Sequence, residues 1–520
     1  MIVEVLWADL SNLLQTHRGV IEGVSLVILG IGVLINVISV LQLPAALSEL
    51  LRHSRAEDRD ATWEVLISDV AMPVSVLVPA YNEEATIVDN VRSMLFLQYP
   101  DLEIVVVNDG SRDATLERLI AAFALSPVVR AHELALPHAA LRGLYASPAW
   151  PGLLVIDKHN GGSKSDAINA GINLSRNPLF CVVDADSLLE ADSLLQTVRP
   201  FMENPDGMAA VGGTVRVLNG CTVENGQIVT VGLPRKFLPS VQNLEYIRAF
   251  LVTRLAWSHW RMLSIISGAF GLFRRDLALE IGGFAKGSHG EDYDFIVRLH
   301  RHLHDNKRPY EMRYLPEPVC WTEAPEDLRT LSTQRRRWQR GAMQVLLANA
   351  RMIGNPRYGR FGMLGLTHNL LVDVIAPVAE LAGYLFLPLF YLSGALDGAF
   401  LLAFFGLFVM LGVFYSVCAL ILEEIELKRT PGVAGLIMIG LVAVIENFGY
   451  RQLNSLWRIR GLWEFLRGTH GWGEMQRRGA MRAPADAGPG ATVGVVGYAA
   501  GRGGATLYAI PTPEEHEIGR

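Results

Sequence analysis

From residue 24 to residue 43 the chain is almost continuously apolar, broken by Ser25, Asn36, Ser39 and Gln42. A helix crosses a bilayer core with about 20 such residues, so this stretch predicts a membrane span. It lacks the basic start and small-residue cleavage site of a signal peptide. The pattern then changes. Short apolar runs at 74–78, 102–107, 153–156 and 179–183 are separated by helical stretches such as 114–123. Strands buried on both faces, alternating with helices, predict right-handed βαβ units and a mostly parallel sheet. Residues 126–150, rich in Pro, Ala and His, read as an irregular excursion from that pattern. After Phe361 apolar density returns, and 372–392, 400–422 and 433–448 are each candidate spans.

Charge sets the orientation. Arg52, Arg55 and Arg59 follow the first span and Arg18 alone precedes it, so the chain enters the cytoplasm after it. The loop Glu423-Glu424-Ile425-Glu426, with Lys428 and Arg429, is placed on the same side. One span before the α/β region and three after it leave the C-terminus outside, whereas Arg451, Arg458, Arg460 and Arg467 argue for inside. Either 433–448, with Glu446 and Asn447 in it, is re-entrant, or 362–392 divides into an interfacial helix and a span. The tail beyond Trp472 is basic, then rich in Ala, Gly and Pro, and disorder is expected from residue 480 onward. The expected organisation is an N-terminal segment with one span (1–45), a cytoplasmic linker (46–72), an α/β domain (73–352), interfacial and spanning helices (353–470) and the tail (471–520).

Composition narrows the class. The chain has 520 residues, 50% of them hydrophobic and 19% charged, too apolar for one ordinary soluble enzyme. A net charge of −6 argues against a nucleic-acid partner, which needs a concentrated basic surface. Cys181, Cys221, Cys320 and Cys418 lie far apart without CxxC spacing, so they read as reduced residues, not a zinc site or disulfide framework.

The candidate chemistry sits at strand ends. The run 179–183 stops at Asp184-Ala185-Asp186, two carboxylates at i, i+2 on the carboxyl edge of the sheet, where ligands of open α/β folds bind. Such a pair can share a hard divalent cation, Mg²⁺ or Mn²⁺, that bridges phosphate oxygens. Alone, Asp-Ala-Asp more often opens a turn. Here Glu83 follows the first strand and Asp109 the second, and Asn160-Gly161-Gly162-Ser163-Lys164 joins close-approach glycines to a lysine that can meet phosphate. Gly290-Glu291-Asp292-Tyr293-Asp294 opens a helix, where an acid by itself is usually a cap. Gln334-Arg335-Arg336-Arg337-Trp338-Gln339-Arg340 packs arginines around one tryptophan, which alone suits an anionic-lipid interface.

Taken together, in this order and between apolar segments, these motifs resemble the membrane-embedded family 2 glycosyltransferases, the group of cellulose, chitin, hyaluronan and poly-N-acetylglucosamine synthases. The matches are 79–83, 108–111, 160–164, 184–186, 291–292 and 334–338, and they span residues 74–341. The resemblance implies a GT-A-like nucleotide-sugar-binding domain inserted between transmembrane helices of the plasma (inner) membrane. It assigns Asp109 to the uracil-type base, with Tyr81 and Glu83 lining the same pocket, and Lys164 and Asp184 to the nucleotide-sugar. It makes Asp184 and Asp186 the cation ligands and Asp292 the general base toward the acceptor hydroxyl. Glu291, Gln334, Arg337 and Trp338 are implied to meet diphosphate and acceptor. Asn108 stands where the family usually has an acid and Gly290 where it usually has Thr, which loosens the expectation for the base. No PilZ-type cyclic-di-GMP module is recognisable in the tail.

The implied activity is inverting transfer from a UDP-linked sugar to a growing polysaccharide, with coupled translocation. Two alternatives stand beside it: single addition to a lipid or lipid-linked acceptor, and an inactive subunit of an envelope-export complex. The implied partners are the donor, a glycan or lipid-linked acceptor, membrane lipid and envelope export proteins.

Overall fold

The carboxyl edge of one large sheet gathers the acids singled out above. The computed structural model describes residues 7, 9, 12–56, 71–132, 134–224, 226–426, 432–468, 496–497 and 508–509. Helix α1 (Arg18–Ala56) contains the first apolar segment and runs ten or so residues past it into the expected linker. Strand β1 (Val74–Ala80), helix α2 (Ile87–Leu95), β2 (Leu102–Asn108) and α3 (Thr115–Phe123) follow, then β3 (Ser126–Pro127), β4 (Leu141–Ala146) and β5 (Leu153–Lys158). Helix α4 (Lys164–Leu174), β6 (Leu179–Val183), β7 (Leu188–Leu189), α5 (Ser193–Glu203) and β8 (Met208–Val217) come next. A small hairpin, β9 (Thr222–Glu224) and β10 (Gln227–Thr230), precedes α6 (Phe237–Tyr246), a π-helical turn at Ile247–Arg254 and α7 (Leu255–His259). The domain ends with β11 (Phe270–Arg274), α8 (Arg275–Glu280), α9 (Glu291–Asp305), β12 (Glu311–Thr322) and α10 (Leu328–Ala348).

The sheet order is β3-β4-β5-β2-β1-β6-β11-β8-β12-β7. Strands β5, β2, β1 and β6 are mutually parallel, as their apolar runs require, because both faces are covered by helices. Val76, Leu77, Val105, Val106, Val155 and Ile156 are all fully buried there. Beyond β6 the sheet turns mixed: β11 is antiparallel to both β6 and β8, while β12 runs parallel to β8. Residues 126–150 depart from the expected irregular excursion, since β4 pairs antiparallel with β5 and extends the sheet. The strand is half-exposed and interrupted by Arg142 and Gly143, so it lacks the continuous apolar run that marked the inner strands.

After the domain come α11 (Phe361–Leu392), with π-helical turns at Phe361–Gly365 and Leu370–Ile375, α12 (Gly398–Glu426), α13 (Gly432–Ile445) and α14 (Tyr450–Leu466). Helices α1, α11 and α12 are long and apolar enough to cross a membrane. Residues 433–448 do not form a straight span. Helix α13 has 14 residues, about 21 Å against a core of about 30 Å, and it meets α14 at 58°. Gly449, at φ +99°, makes the break. The alternative in which 362–392 divides is not observed, because α11 is one helix.

Helix ends show which side each element shares with the domain. At the C-terminal end of α1, Glu49 meets His259 at 3.1 Å and His53 pairs with Glu317. Buried Glu423, near the end of α12, pairs with Arg216 of β8, and Glu446 at the break pairs with Arg248. Helix α14 lies on α10, so close that a Cβ on Gly461 would stand 2.8 Å from the Arg336 carbonyl oxygen, and Glu464 takes Arg336 at 2.5 Å. Against α11, α14 sets Arg451 on Glu380 and Arg458 on Asp373, the latter at 3.0 Å. At the opposite ends Gln15 donates to the Ser393 carbonyl at 2.8 Å. Within the separate tail unit, Val496–Gly497 pairs antiparallel with Tyr508–Ala509, and the rest of the stretch expected to be disordered lies outside the described residues.

Candidate active site

The first cluster forms where β1, β2 and β5 end side by side. Register sets Ala80 beside Asn108 and Asn108 beside Asp157. The turn after β1 is tied to the turn after β2: Asn82 accepts from Arg112 N at 2.9 Å, and Glu83 N donates to the Thr115 hydroxyl at 2.9 Å. Glu83 and Asp109 are buried, whereas Tyr81 is exposed at the rim. Asp109 pairs with Lys158, the last residue of β5, and accepts from Gly161 N at 3.1 Å. Asn108, where an acid was expected, donates to Asp157 at 2.7 Å, so an amide here avoids two adjacent carboxylates.

The second cluster is assembled from three elements. Lys164, at the start of α4, reaches Asp184 at 2.5 Å, the Gly268 carbonyl at 3.0 Å and Glu291 at 3.5 Å. Gly268 N donates to Asp292 Oδ2 at 3.0 Å, and Tyr293 N donates to Oδ1 at 2.8 Å. The turn before β11 therefore stitches the Asp-Ala-Asp edge to the first turn of α9. Burial alone would lower the Lys164 pKa, but Asp184, Glu291 and Asp292 hold it above its ordinary value. Burial, followed by the Asp184 carboxylate, pushes Asp186 up to about 7. Burial also raises Glu291, reinforced by Asp292 and opposed by Lys164 and Arg337.

Helix α10 brings the third set. Arg337 acts electrostatically on Glu291, which places it toward the second cluster. The Gln334 side-chain oxygen is buried without a hydrogen-bond partner. Trp338 is 41% exposed, with the Arg335 guanidinium 4.7 Å from its ring centre and Arg335 itself anchored on Glu245. Behind it, Gln339 donates to the Asp373 carbonyl at 2.5 Å and accepts from Arg458 at 3.0 Å.

The two strand-end clusters and Gln334 to Gln339 of α10 lie inside two family matches. Residues 75–135 match "Glycosyl transferase family 2" and residues 149–341 match "Glycosyltransferase like family 2". The chain carries a family 2 glycosyltransferase domain. Its relatives include the poly-beta-1,6-N-acetyl-D-glucosamine synthase of Staphylococcus epidermidis, 28% identical over 274 residues, which are 53% of this chain and 55% of that one. The synthase of the same name from Staphylococcus aureus strain COL is 24% identical over 302 residues, 58% of this chain and 62% of the relative. The chain thus spans little more than half the length of these relatives. Solved structures similar to it include the mannosyltransferase PcManGT from Pyrobaculum calidifontis in complex with GDP-Man and Mn²⁺, at 17% identity and a TM-score of 0.46, covering 84% of this chain and 99% of that one. Staphylococcus aureus TarS 1–349 in complex with UDP-GlcNAc is 14% identical, with a TM-score of 0.37, covering 75% and 92%.

The glycosyltransferase domain has the GT-A-like α/β arrangement expected from the sequence, with its parallel half bearing the acids. Among the described residues no group of three or more His, Cys, Asp or Glu is disposed to hold a metal. The Asp184–Asp186 pair nevertheless suits a cation: burial and the Asp184 carboxylate disfavour ionisation of Asp186, and a divalent ion would offset both. Lys158 and Asp373 were given no role from sequence, and Arg458 was read only for its charge. Lys158 carried one available signal, a lysine beside Asp157 at the end of the apolar run 153–156.

Proposed function

We propose that this glycosyltransferase domain transfers a sugar from a UDP-linked donor to a growing polysaccharide at the membrane, with inversion at the anomeric carbon. The observation that carries the reading is the meeting of Lys164, Asp184, Glu291 and Asp292 around Gly268, with the Arg337 and Trp338 helix beside them. Tyr81, Glu83 and Asp109 line the base pocket, and Lys164 and Arg337 face the diphosphate. Asp184 and Asp186 would hold a divalent cation, which would offset charge on the leaving diphosphate. The Asp292 carboxylate takes the proton from the acceptor hydroxyl. That oxygen bonds to the anomeric carbon as the bond to the diphosphate oxygen breaks, and the nucleoside diphosphate leaves with the electron pair. Trp338 offers its exposed face to the acceptor sugar. Relatives named poly-beta-1,6-N-acetyl-D-glucosamine synthase support a polymer as product.

The same reading places the domain in the cytoplasm and the chain in the plasma (inner) membrane as a multi-pass protein. Crossing by α1, α11 and α12 returns α14 to the domain side, which suits its arginines and its packing on α10. The test is incubation of the purified, membrane-reconstituted chain with labelled UDP- and GDP-sugars in Mg²⁺ or Mn²⁺, followed by product sizing. Long products from one UDP-sugar are expected. A single sugar on lipid would overturn the polymer reading, and no transfer from any donor would overturn the enzymatic one.

A further inference from the structure

Lys158 ends β5 with a side chain that is fully buried. Its ammonium meets three acceptors: Oδ1 of Asp109, Oδ2 of Asp166 at 2.7 Å and the His159 carbonyl at 2.9 Å. An ammonium has three donors, so this one is saturated. Asp166, in the first turn of α4, also accepts from Ala139 N at 3.0 Å. A lysine so placed is not available to a phosphate. It pins the ends of β2 and β5 to the start of α4.

The pin makes the two oxygens of Asp109 unequal. Oδ1 receives Lys158 and the Gly161 N–H, and among the described residues Oδ2 has no hydrogen bond. Gly161 fits there because it has no side chain; a Cβ would stand 2.0 Å from Asp166 Oδ2. Asp109 therefore presents one free acceptor oxygen in a fixed place. Uracil offers a carboxylate one N–H, flanked by two carbonyl oxygens. Guanine offers N1–H and N2–H side by side, a pair that suits a carboxylate with both oxygens free. Adenine and cytosine present a ring-nitrogen lone pair, which a carboxylate repels.

We infer that Lys158 is a specificity-determining positioning residue: by occupying one oxygen of Asp109 it selects a uridine diphosphate donor over a guanosine diphosphate one. This rests on Asp109 being the base contact of the proposed function. A guanine whose second N–H is left unpaired in a buried site loses about ten- to a hundredfold in affinity.

The experiment is calorimetric titration of the full, detergent-purified chain with UDP and with GDP in Mn²⁺, for wild type, Lys158→Met, Asp166→Asn and Asp109→Ala. Wild type should prefer UDP by about tenfold or more. In Lys158→Met the ratio should fall toward one, because Oδ1 then keeps only the Gly161 N–H and has a lone pair open to a second donor. A merely structural role would weaken both nucleotides together and leave the ratio unchanged. If Lys158→Met fails to fold by thermal melting, Asp166→Asn, which removes one anchor of the lysine, should lower the ratio in the same direction. A wild-type ratio in whichever of these folds overturns the assignment to Lys158. Asp109→Ala separates the underlying reading: if it binds UDP like wild type, Asp109 is not the base contact and both readings fall together.

Discussion

Gly341→Ala sets two effects of opposite sign against each other. In a helix interior this change is ordinarily stabilising by about 0.5–1 kcal/mol. Here the new Cβ would stand 2.8 Å from Gly290 N, and 3.0 Å from both Gly290 Cα and the His289 carbonyl carbon. These are backbone atoms and cannot swing aside. Comfortable contact begins near about 3.5 Å, so α10 must withdraw from the start of α9 by about 0.5–1 Å. Overpacking of this kind costs about 1–3 kcal/mol, which outweighs the helical gain. The displacement also separates Arg337 and Trp338 on α10 from Glu291 and Asp292 on α9. A 1 Å misplacement can cost about 100-fold in rate, so turnover should fall by roughly 10- to 100-fold. Donor KM should rise as well, because Arg337 moves with α10, while the Asp109–Lys158 pair at other strand ends keeps its place. The assay is turnover and donor KM of the reconstituted chain, with thermal melting. Gly406→Ala, which meets nothing within 4 Å, is the control. Wild-type turnover with a raised melting temperature in Gly341→Ala would refute the tight apposition of the two helices.

Asp292→Asn should lower turnover by about 10²–10⁴-fold with donor affinity preserved, since an amide cannot take the acceptor proton; single-turnover rates and titration with donor check both halves. Trp338→Ala should shorten the product by weakening the acceptor's stacking face, read by gel sizing, and products of unchanged length would remove that role. Chelation of divalent ions, or Asp186→Asn, should abolish transfer while melting curves stay near wild type; full activity in chelator would dismiss the cation. His300 is buried between the Leu263 carbonyl, at 2.8 Å, and the Tyr310 hydroxyl, and burial pushes its pKa down to about 3 from an ordinary 6.5. The unfolded imidazole binds a proton first as pH falls, so the contribution of this group is whole above about pH 6.5 and lost toward pH 3, by up to about 1.4 kcal/mol per pH unit. His300→Gln should flatten that part of the stability profile measured by denaturant unfolding.

Much of the parallel half was legible because its strands are mostly apolar and the acids follow their carboxyl ends. Residues 179–183 and the acids after them illustrate this: burial on both faces favours apolar residues up to the carboxyl edge. The antiparallel entry of β11 was not legible, since Phe270–Arg274 has the same local pattern whichever direction it runs. Lys158 was hidden for a related reason. A buried lysine is permitted only by partners distant in the chain, Asp109 and Asp166, and periodicity cannot show them. The stretch 433–448 was read as a span from its apolar content, but the break is fixed by Gly449 and by Glu446 reaching Arg248. Helix α14 mixes arginines with Leu and Trp because one face serves α10 and another α11, so it shows neither the pattern of a span nor that of a surface helix.

The two ion pairs between α11 and α14 have a mechanical meaning. Asp373 and Glu380 are seven residues apart on one helix, and Arg458 and Arg451 are seven apart on the other, in the reverse direction. Seven residues measure about 10.5 Å of helix. A slide of one turn, about 5.4 Å, would unpair both arginines at once, where an unpaired charge is costly. A slide of two turns would restore only one pair. The joint behaves like a toothed rack that is fully meshed at one setting only. Since Glu464 of α14 also holds Arg336 of α10, the helix bearing Trp338 is kept at one height relative to α11.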